Sequence, residues 1–385
     1  MEINSAYKIN LIGYCSLDQE NLLNKFLNEG AHSLSGLDGE YAIIIENDIE
    51  CYIITSSYGA CQYYYAIYKN RFFHSDTVIG VIQKSRVPWS WNWKALADVT
   101  CLDHVLENDT LHSGVCRVPA RSILHFKNGN LNISSLSWEE LHRPFHSSPF
   151  IALDAFNNAV KSYINDKTVL SLSGGFDSRV ILSSLLKHGC KPLVVIMGSE
   201  GNTDKVISSQ ICSSLGLDKI IVGFNIEDYL EYGTKIAVLT NGTTSVMHWH
   251  TYIYTKKVNL DSDSPFFIGT NGEFAKTYYY DYGVKARLAN MVAPVSLPYF
   301  WSKKLELDCI FTKEELKGSH PEFANEFTNK CNGMRVRRLV NLCHHHFFSG
   351  LDRFVLEQLV RNFSSNGLRL YAENVSWRTP FLNRQ

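Results

Sequence analysis

Several features that mark common classes of protein are missing from this chain. Its 10 cysteines are scattered singly, with no Cys-x-x-Cys pair, which argues against a zinc ribbon and against a dithiol site. No stretch reaches the roughly 18 consecutive apolar residues of a membrane span. The formal net charge is only −1, so nucleic acids and anionic membranes exert no broad electrostatic attraction. We therefore expect neither a nucleic-acid partner nor a membrane-spanning segment.

The first 20 residues also lack the pattern of a secretory signal. Met1–Glu20 contains an early acidic residue and no long apolar run. Together with the unpaired cysteines, this predicts a protein of the reducing cytoplasm. A length of 385 residues is enough for two or more domains, and 45% hydrophobic and 19% charged residues are typical of a globular chain.

One stretch, the first glycine loop (Ser171–Arg179), has the pattern of a strand end, a turn and a helix start. A β-branched apolar run precedes it, and apolar residues at helical spacing follow it as far as Gly189. The adjacent Gly174 and Gly175 would let a bulky anion approach the backbone at a helix N-terminus. The stretch has no Gly-Lys-Ser/Thr ending, so it is not a Walker loop.

Polar side chains in the first glycine loop strengthen this interpretation. Ser173 and Ser178 offer hydroxyl donors, and Asp177 offers a carboxylate that could hold Mg²⁺ against phosphate oxygens. An ordinary Gly-Gly turn is the alternative, but turn chemistry explains the glycines and leaves the two serines and the aspartate unexplained. The loop is therefore predicted to bind a phosphate group.

Before this loop the sequence favours antiparallel β-structure. Short apolar runs flank tight polar turns at 46–50, at 69–70 and at Asn128-Gly129, the last of which is a strong hairpin signal. This pattern predicts an α+β N-terminal domain with layered antiparallel sheets. We place it at residues 1–141, followed by a Pro- and Ser-containing linker at 142–149.

From residue 150 onwards short apolar strands alternate with helices. Runs at 168–170, 193–197, 219–222 and 266–268 have strand character, and helical periodicity separates the first three. The pattern predicts an α/β domain over 150–385 with a parallel sheet. In such sheets ligands bind beyond the carboxyl ends of the strands, where the first glycine loop would lie.

The sequence resembles the PP-loop ATP pyrophosphatases, and in particular the asparagine synthetase B family. Ser173-Gly174-Gly175-Phe176-Asp177-Ser178 matches the PP-loop, and Gly36–Ala42, Ser57–Tyr65 and Asp109–Pro119 are similar to landmarks of that family's class II glutamine amidotransferase domain. Arg378–Asn383 resembles the Arg-x-Pro-Phe-Leu-Asp motif of its synthetase domain. The chain is closest in kind to relatives without glutaminase activity, such as β-lactam synthetases and lasso-peptide cyclases.

The resemblance implies a reaction and a set of site residues. A substrate carboxylate would be adenylated by ATP with Mg²⁺, releasing pyrophosphate, and an amine would then form an amide and release AMP. The second glycine loop (residues 266–273) resembles the family's Gly-x-Gly-Gly/Ser-Asp segment and places Glu273 where the family has a metal-binding aspartate. Asp177 and Glu273 would therefore act as catalytic and metal-binding residues. The residues implied for ATP and pyrophosphate are Ser171, Ser173, Gly174, Gly175, Asp177, Ser178, Met197, Gly198, Gly269, Thr270 and Gly272.

The front domain lacks the parts that hydrolyse glutamine. The family's nucleophile is an N-terminal cysteine, whereas position 2 is Glu2, and the nearest thiol, Cys15, is better explained as a small buried residue. The family's catalytic lysine follows the Arg378–Asn383 motif, and this sequence ends at Gln385, which leaves Lys276 and Lys285 as substitutes by proximity in sequence. We expect a degenerate amidotransferase-like domain and no glutamine hydrolysis.

Several functions remain open at this point. The first is ligation without glutamine in natural-product or peptide biosynthesis, with a carboxylate substrate that carries its own amine and with a partner protein that delivers a precursor peptide. The second is an ammonia-dependent asparagine synthetase-like reaction. The third is a non-catalytic nucleotide-binding pseudo-synthetase with a scaffolding role. A PP-loop enzyme that modifies tRNA would need a basic surface, which the net charge of −1 opposes.

Overall fold

The computed structural model of the chain describes residues 7–136, 148–199, 201–261, 263–275, 318–331 and 355–383. Within these ranges the protein is a mixed α/β structure with two antiparallel sheets and one parallel sheet. No helix in the described ranges is both long enough and apolar enough to cross a bilayer.

The first sheet is antiparallel and has five strands in the order β1-β2-β3-β7-β8. Its strands are β1 (Lys8–Cys15), β2 (Gly39–Glu46), β3 (Glu50–Thr55), β7 (Ser122–Lys127) and β8 (Asn130–Ser135). Helix α1 (Gln19–Glu29) connects β1 to β2 and buries Leu22 and Phe26. Asp18 caps this helix by accepting a hydrogen bond from the Asn21 N–H.

A smaller antiparallel sheet has three strands in the order β5-β4-β6. These are β4 (Tyr64–Tyr68), β5 (Arg71–Ser75) and β6 (Cys116–Arg117). Helices α2 (Val78–Ser85) and α3 (Trp93–Leu102) follow β5.

The predicted hairpins are confirmed, and their turns have the expected chemistry. β2 pairs with β3, β4 with β5, and β7 with β8, all antiparallel. Lys69-Asn70 and Asn128-Gly129 each have two consecutive positive φ angles. Turns of this kind match the right-handed twist of the paired strands, and asparagine and glycine adopt them at low cost.

The second part contains a parallel sheet in the order β11-β10-β9-β12-β13, as the alternating pattern predicts. Its strands are β9 (Val169–Ser171), β10 (Leu193–Met197), β11 (Lys219–Val222), β12 (Pro265–Phe267) and β13 (Ser376–Arg378). β13 is an edge strand of this sheet and pairs only with β12 among the described strands.

Helices accompany this sheet, and they begin with α4 (Pro149–Lys161). Ser148 caps α4 and Pro149 is its first residue, so the helix begins at the last residue of the predicted linker. The others are α5 (Phe176–Lys187), α6 (Thr203–Leu215), α7 (Ile226–Leu239), α8 (His250–Val258), α9 (Pro321–Cys331), a π-helical segment (Val355–Ser364) and α10 (Ser365–Ala372).

The antiparallel and parallel parts share one hydrophobic core. The ring of Tyr14, on β1, lies edge to face with Trp377 on β13 and with Tyr163 after α4, at centroid distances of 5.1 and 5.2 Å. Aromatic pairs of this geometry add about 0.5–1.5 kcal/mol each beyond the burial of their area. The Arg378 guanidinium lies over the Tyr14 ring at 4.5 Å, so the contact also carries a cation–π interaction.

A buried polar network also joins the two parts. Arg117 on β6 donates hydrogen bonds to the carbonyl of Arg361 and to the side chain of Asn362, both in the π-helical segment. Arg361 in turn donates to the carbonyl oxygens of Glu107 and Val118. Burial lowers the pKa of both arginines. Because a buried cation is costly unless oxygen atoms replace its water, these bonds fix how the segment lies on the front sheets.

Glu40 makes the stability of the front part depend on pH. Its carboxylate is buried in β2 and accepts hydrogen bonds from the Ser56 hydroxyl at 2.7 Å and from the Ala60 N–H at 2.9 Å. Burial nevertheless raises the pKa of Glu40 from 4.5 to about 7. Between these two pH values the folded chain holds a proton that the unfolded chain has lost, so stability falls as pH rises through this window.

Glu40→Gln should remove this dependence. Relative to the native chain, the variant should gain about 3 kcal/mol in free energy of unfolding between pH 4.5 and pH 8, measured by urea denaturation. Glu20→Gln, at an exposed position of α1, serves as the control and should show no such gain. A constant difference between Glu40→Gln and the native chain across this range would contradict the assignment.

Candidate functional site

Three turns meet at the carboxyl edge of the parallel sheet. They follow β9, β10 and β12, and because these neighbouring strands run in parallel the turns lie side by side. The turns after β9 and β12 belong to the first and second glycine loops. This edge therefore brings together the residues predicted for ATP and Mg²⁺.

The first glycine loop is folded on itself by its serines. The buried Ser178 hydroxyl accepts a hydrogen bond from the Ser173 N–H at 3.1 Å and lies 3.2 Å from the Ser173 hydroxyl. The Ser173 hydroxyl accepts in turn from the Gly175 N–H at 3.2 Å. The two serines thus shape the loop, and their predicted contacts with phosphate stay a prediction.

Ser171, which is also predicted to contact the nucleotide, forms a hydrogen bond with a neighbouring helix. It is the last residue of β9, and its hydroxyl accepts a hydrogen bond of 2.7 Å from the hydroxyl of Tyr254, which is buried on α8. This bond anchors the end of the strand to a neighbouring helix. Ser171 therefore stabilises the strand end from which the loop begins.

Asp204 belongs to this site, although sequence reasoning did not identify it. It lies in the first turn of α6, and its Oδ1 accepts a hydrogen bond from the Gly174 N–H at 3.0 Å. An exposed carboxylate thus occupies a backbone donor that a phosphate oxygen could use. The signal in the sequence was the acidic start of α6 directly after β10, since the first turns of parallel-sheet helices lie at the same edge.

The second glycine loop is pressed against the start of α5. A Cβ atom on Gly272 would lie 2.3 Å from Cγ of Asp177, and one on Gly269 would lie 2.9 Å from the backbone nitrogen of Ser178. Real Cβ atoms do not approach so closely, so both positions require glycine. Asp177 is in the first turn of α5, where a negative charge is stabilised by the helix dipole.

Glu273, the second predicted metal-binding residue, follows Gly272 directly. It is half-buried and begins, with Gly272, a short 3₁₀ helix (Gly272–Ala275). Glu273 is therefore one residue along the chain from the contact between Gly272 and Asp177. Carboxylate oxygens of this kind are the ligands that Mg²⁺ prefers.

The end of the chain supports the second glycine loop. Thr379 donates a hydrogen bond of 2.7 Å to the carbonyl of Thr270, and the Ile268 N–H donates to the carbonyl of Arg378 at 3.0 Å. The Arg378–Asn383 motif thus holds the loop in place from the neighbouring strand β13. Lys276 and Lys285, the predicted substitutes for a catalytic lysine, lie outside the described residues.

Met197 and Gly198 form the third turn of this edge. Met197 ends β10, and Gly198 has a φ of +155°, a conformation that favours glycine. A Cβ atom on Gly198 would lie 3.1 Å from Cβ of Lys205 on α6. The strand end is therefore tightly packed beneath the start of that helix.

Cys15 does not have the environment of an activated nucleophile. It is half-buried at the end of β1, where its thiol donates a hydrogen bond to the carbonyl of Leu17. Burial raises the pKa of the thiol, which disfavours the reactive thiolate. We expected a small buried residue, and the side chain is half-buried.

A cavity of about 610 Å³ lies at the opposite edge of the parallel sheet. It is lined by Val169 and Leu193, which begin β9 and β10, and by Asp218, which precedes β11. Ligands of parallel sheets bind at the carboxyl edge, so this cavity is separate from the candidate site.

No protein-family model matches the sequence, and no curated protein matches it. Two similar solved structures are the allosteric regulatory enzyme of purine biosynthesis and glutamine phosphoribosylpyrophosphate amidotransferase from B. subtilis, complexed with ADP and GMP. Each is 10% identical over 58% of this chain, with a TM-score of 0.26, and the chain spans about three fifths of their lengths, 61% and 62%. The likeness is loose.

The donors at this edge fit a nucleotide phosphate held with Mg²⁺. Backbone N–H groups of Gly174 and Gly175 lie beside the start of α5 and donate to Asp204 and to the Ser173 hydroxyl, oxygen acceptors whose place a phosphate oxygen could take. Carboxylate oxygens are available beside both loops, because Asp204 bonds to Gly174, Asp177 lies in the first turn of α5, and Glu273 follows the glycine that contacts Asp177. A magnesium-bound phosphate needs both N–H donors and carboxylate ligands, and this edge of the sheet has both.

The contact between the two loops can be tested through stability. Gly272→Ala should lower the free energy of unfolding by about 2 to 3 kcal/mol, because the added methyl group forces the Asp177 side chain to move. Gly223→Ala, after β11, meets no atom within 4 Å and should change it by less than about 1 kcal/mol. Urea denaturation measures both, and equal effects would contradict the described packing.

Proposed function

We propose that the chain is an ATP-dependent, AMP-forming ligase of the asparagine synthetase B group that makes an amide bond without hydrolysing glutamine. The observation that carries this proposal is the contact of Asp177, in the first glycine loop, with Gly272 of the second glycine loop at the carboxyl edge of a parallel sheet. The resemblance of both loops to that family supports it.

In the first step of the proposed reaction, a substrate carboxylate oxygen attacks the α-phosphorus of ATP. The bond to the bridging oxygen breaks, and pyrophosphate leaves with its electron pair. Negative charge then builds beside the first glycine loop. The Gly174 and Gly175 N–H groups and the N-terminus of α5 would stabilise it, and fixed dipoles of this kind supply a large share of catalysis.

Asp177 and Glu273 would hold Mg²⁺, whose contribution is to neutralise phosphate charge. Glutamate is one methylene longer than the family's aspartate, so its carboxylate reaches further from the loop. Asp204 would release the Gly174 N–H when a phosphate oxygen takes its place. The exposed position of Asp204 allows this exchange without any rearrangement of the core.

In the second step an amine attacks the acyl carbon, loses a proton, and displaces AMP. The half-buried thiol of Cys15, whose pKa is raised, is a poor glutaminase nucleophile, so we infer an amine carried by the substrate itself or by a second substrate. Closure within one molecule benefits from the adjacency of amine and acyl-adenylate. A peptide or small molecule that bears both groups is the substrate class that fits, and free ammonia is the alternative amine.

A second candidate function is nucleotide binding without turnover. The observation that favours it is the hydrogen bond between Asp204 and Gly174, which keeps a phosphate-binding donor occupied. The glutamate at position 273 adds to it, because a longer ligand alters metal geometry. Such a protein would bind ATP and serve as a scaffold.

The two candidates differ in the products they form from MgATP. With a small-molecule cell extract as the source of carboxylates, we expect AMP and pyrophosphate in equal amounts, and no glutamate released from added glutamine, by mass spectrometry. Asp177→Asn should lower AMP formation by about 100-fold or more. Asp154→Asn, exposed on α4, should leave it unchanged.

Other outcomes separate the alternatives. Formation of ADP and phosphate in place of AMP would contradict the proposed chemistry. Binding of ATP with no AMP formed would favour the scaffold. A product that has lost one water and gained no nitrogen would indicate ring closure, whereas incorporation of labelled ammonia would indicate the ammonia-dependent reaction.

A further inference from the structure

Three side chains of types that bind metals converge in the front part, outside the two glycine loops. Glu46 ends β2, Cys51 lies on β3, and His74 lies on β5 of the other antiparallel sheet. One ligand atom from each lies within 4.8 Å of the other two. Glu46 and Cys51 are direct cross-strand partners, so their side chains share one face of the first sheet.

The convergence is on a single nitrogen of His74. Its Nε2 is 3.0 Å from Oε2 of Glu46 and 3.8 Å from Sγ of Cys51. A nucleophilic triad would instead place the thiol at one ring nitrogen and the carboxylate at the other. A shared metal ion would explain why two potential metal ligands, a thiol and a carboxylate, both lie beside Nε2 of His74.

The other ring nitrogen is already held. Nδ1 of His74 is 2.9 Å from the hydroxyl of Tyr63. When Nδ1 carries the proton and donates it to that hydroxyl, the lone pair of Nε2 is free for a metal. Metal-binding histidines usually donate their other ring N–H to an oxygen atom, a part that the Tyr63 hydroxyl can play here.

We propose that Glu46, Cys51 and His74 form a binding site for Zn²⁺ that links the two antiparallel sheets. Around a tetrahedral zinc ion with ordinary bond lengths, the N···O and N···S separations are about 3.3 and about 3.6 Å. The observed separations of 3.0 and 3.8 Å need shifts of only a few tenths of an ångström. A carboxylate and a thiolate also balance the two positive charges, the thiol proton passing to solvent.

The three side chains range from buried to partly exposed, which leaves a fourth coordination position open to water. Cys51 is buried, the His74 side chain is 16% exposed, and the Glu46 side chain is 43% exposed. Phe72 lies beneath His74, with ring centroids 5.4 Å apart, and stacks on Phe126. An apolar floor with an opening at the carboxylate excludes water from the thiolate and keeps a path of access for the ion.

Cobalt substitution tests the site in the full chain. We expect the metal-free protein to bind one Co²⁺ per chain with a sulfur-to-cobalt charge-transfer band, and Zn²⁺ to displace the cobalt and raise the melting temperature. Cys51→Ala should lose the band and weaken binding by at least about 100-fold, since loss of even an outer partner costs 10- to 100-fold. Cys116→Ser, an exposed thiol on β6, should leave both unchanged.

Tyr63→Phe provides a second test that keeps all three ligands. The band should persist while the affinity for Co²⁺ falls by about 10- to 100-fold, because His74 loses its outer partner. An absent band in the native chain, an equal band in Cys51→Ala, or an unchanged affinity in Tyr63→Phe would overturn the proposal.

Discussion

The steric contact between Gly272 and Asp177 is the constraint on which the candidate site depends. It fixes the second glycine loop against the first turn of α5, and the first loop is held in turn by the Ser173 and Ser178 hydroxyls. The carboxylate and the backbone donors therefore keep a set distance without a bound ligand. Electrostatic stabilisation by such fixed groups requires no reorganisation when charge develops on a substrate.

The front part contributes to this arrangement through the core it shares with the parallel sheet. Tyr14 packs on Trp377 of β13, and the residues that follow this strand hold the second glycine loop through Thr379. The front sheets thus stabilise the strand that supports the loop. This support comes from buried apolar surface, which is the main source of the stability of a packed core.

Sequence reasoning predicted the hairpins, the parallel sheet and the position of the first glycine loop, because period and turn chemistry are local signals. Asn128-Gly129 encodes its turn directly, and the periodic residues after Gly175 encode α5. The bond from Gly174 to Asp204 could not be read in this way, since it joins residues 30 positions apart. The same holds for Glu46 and His74, which meet only when two separate sheets pack together.

We propose that a nucleotide binds at the two glycine loops, and calorimetric titration with α,β-methylene-ATP and Mg²⁺ measures this binding. This analogue cannot be cleaved between its α and β phosphates, so the measurement needs no knowledge of the substrate. We expect the native chain to bind one nucleotide per chain. Binding should be lost or at least about tenfold weaker in Gly272→Ala, which displaces Asp177, and it should be retained in Gly223→Ala. No binding to the native chain, or equal binding to the two variants, would contradict it.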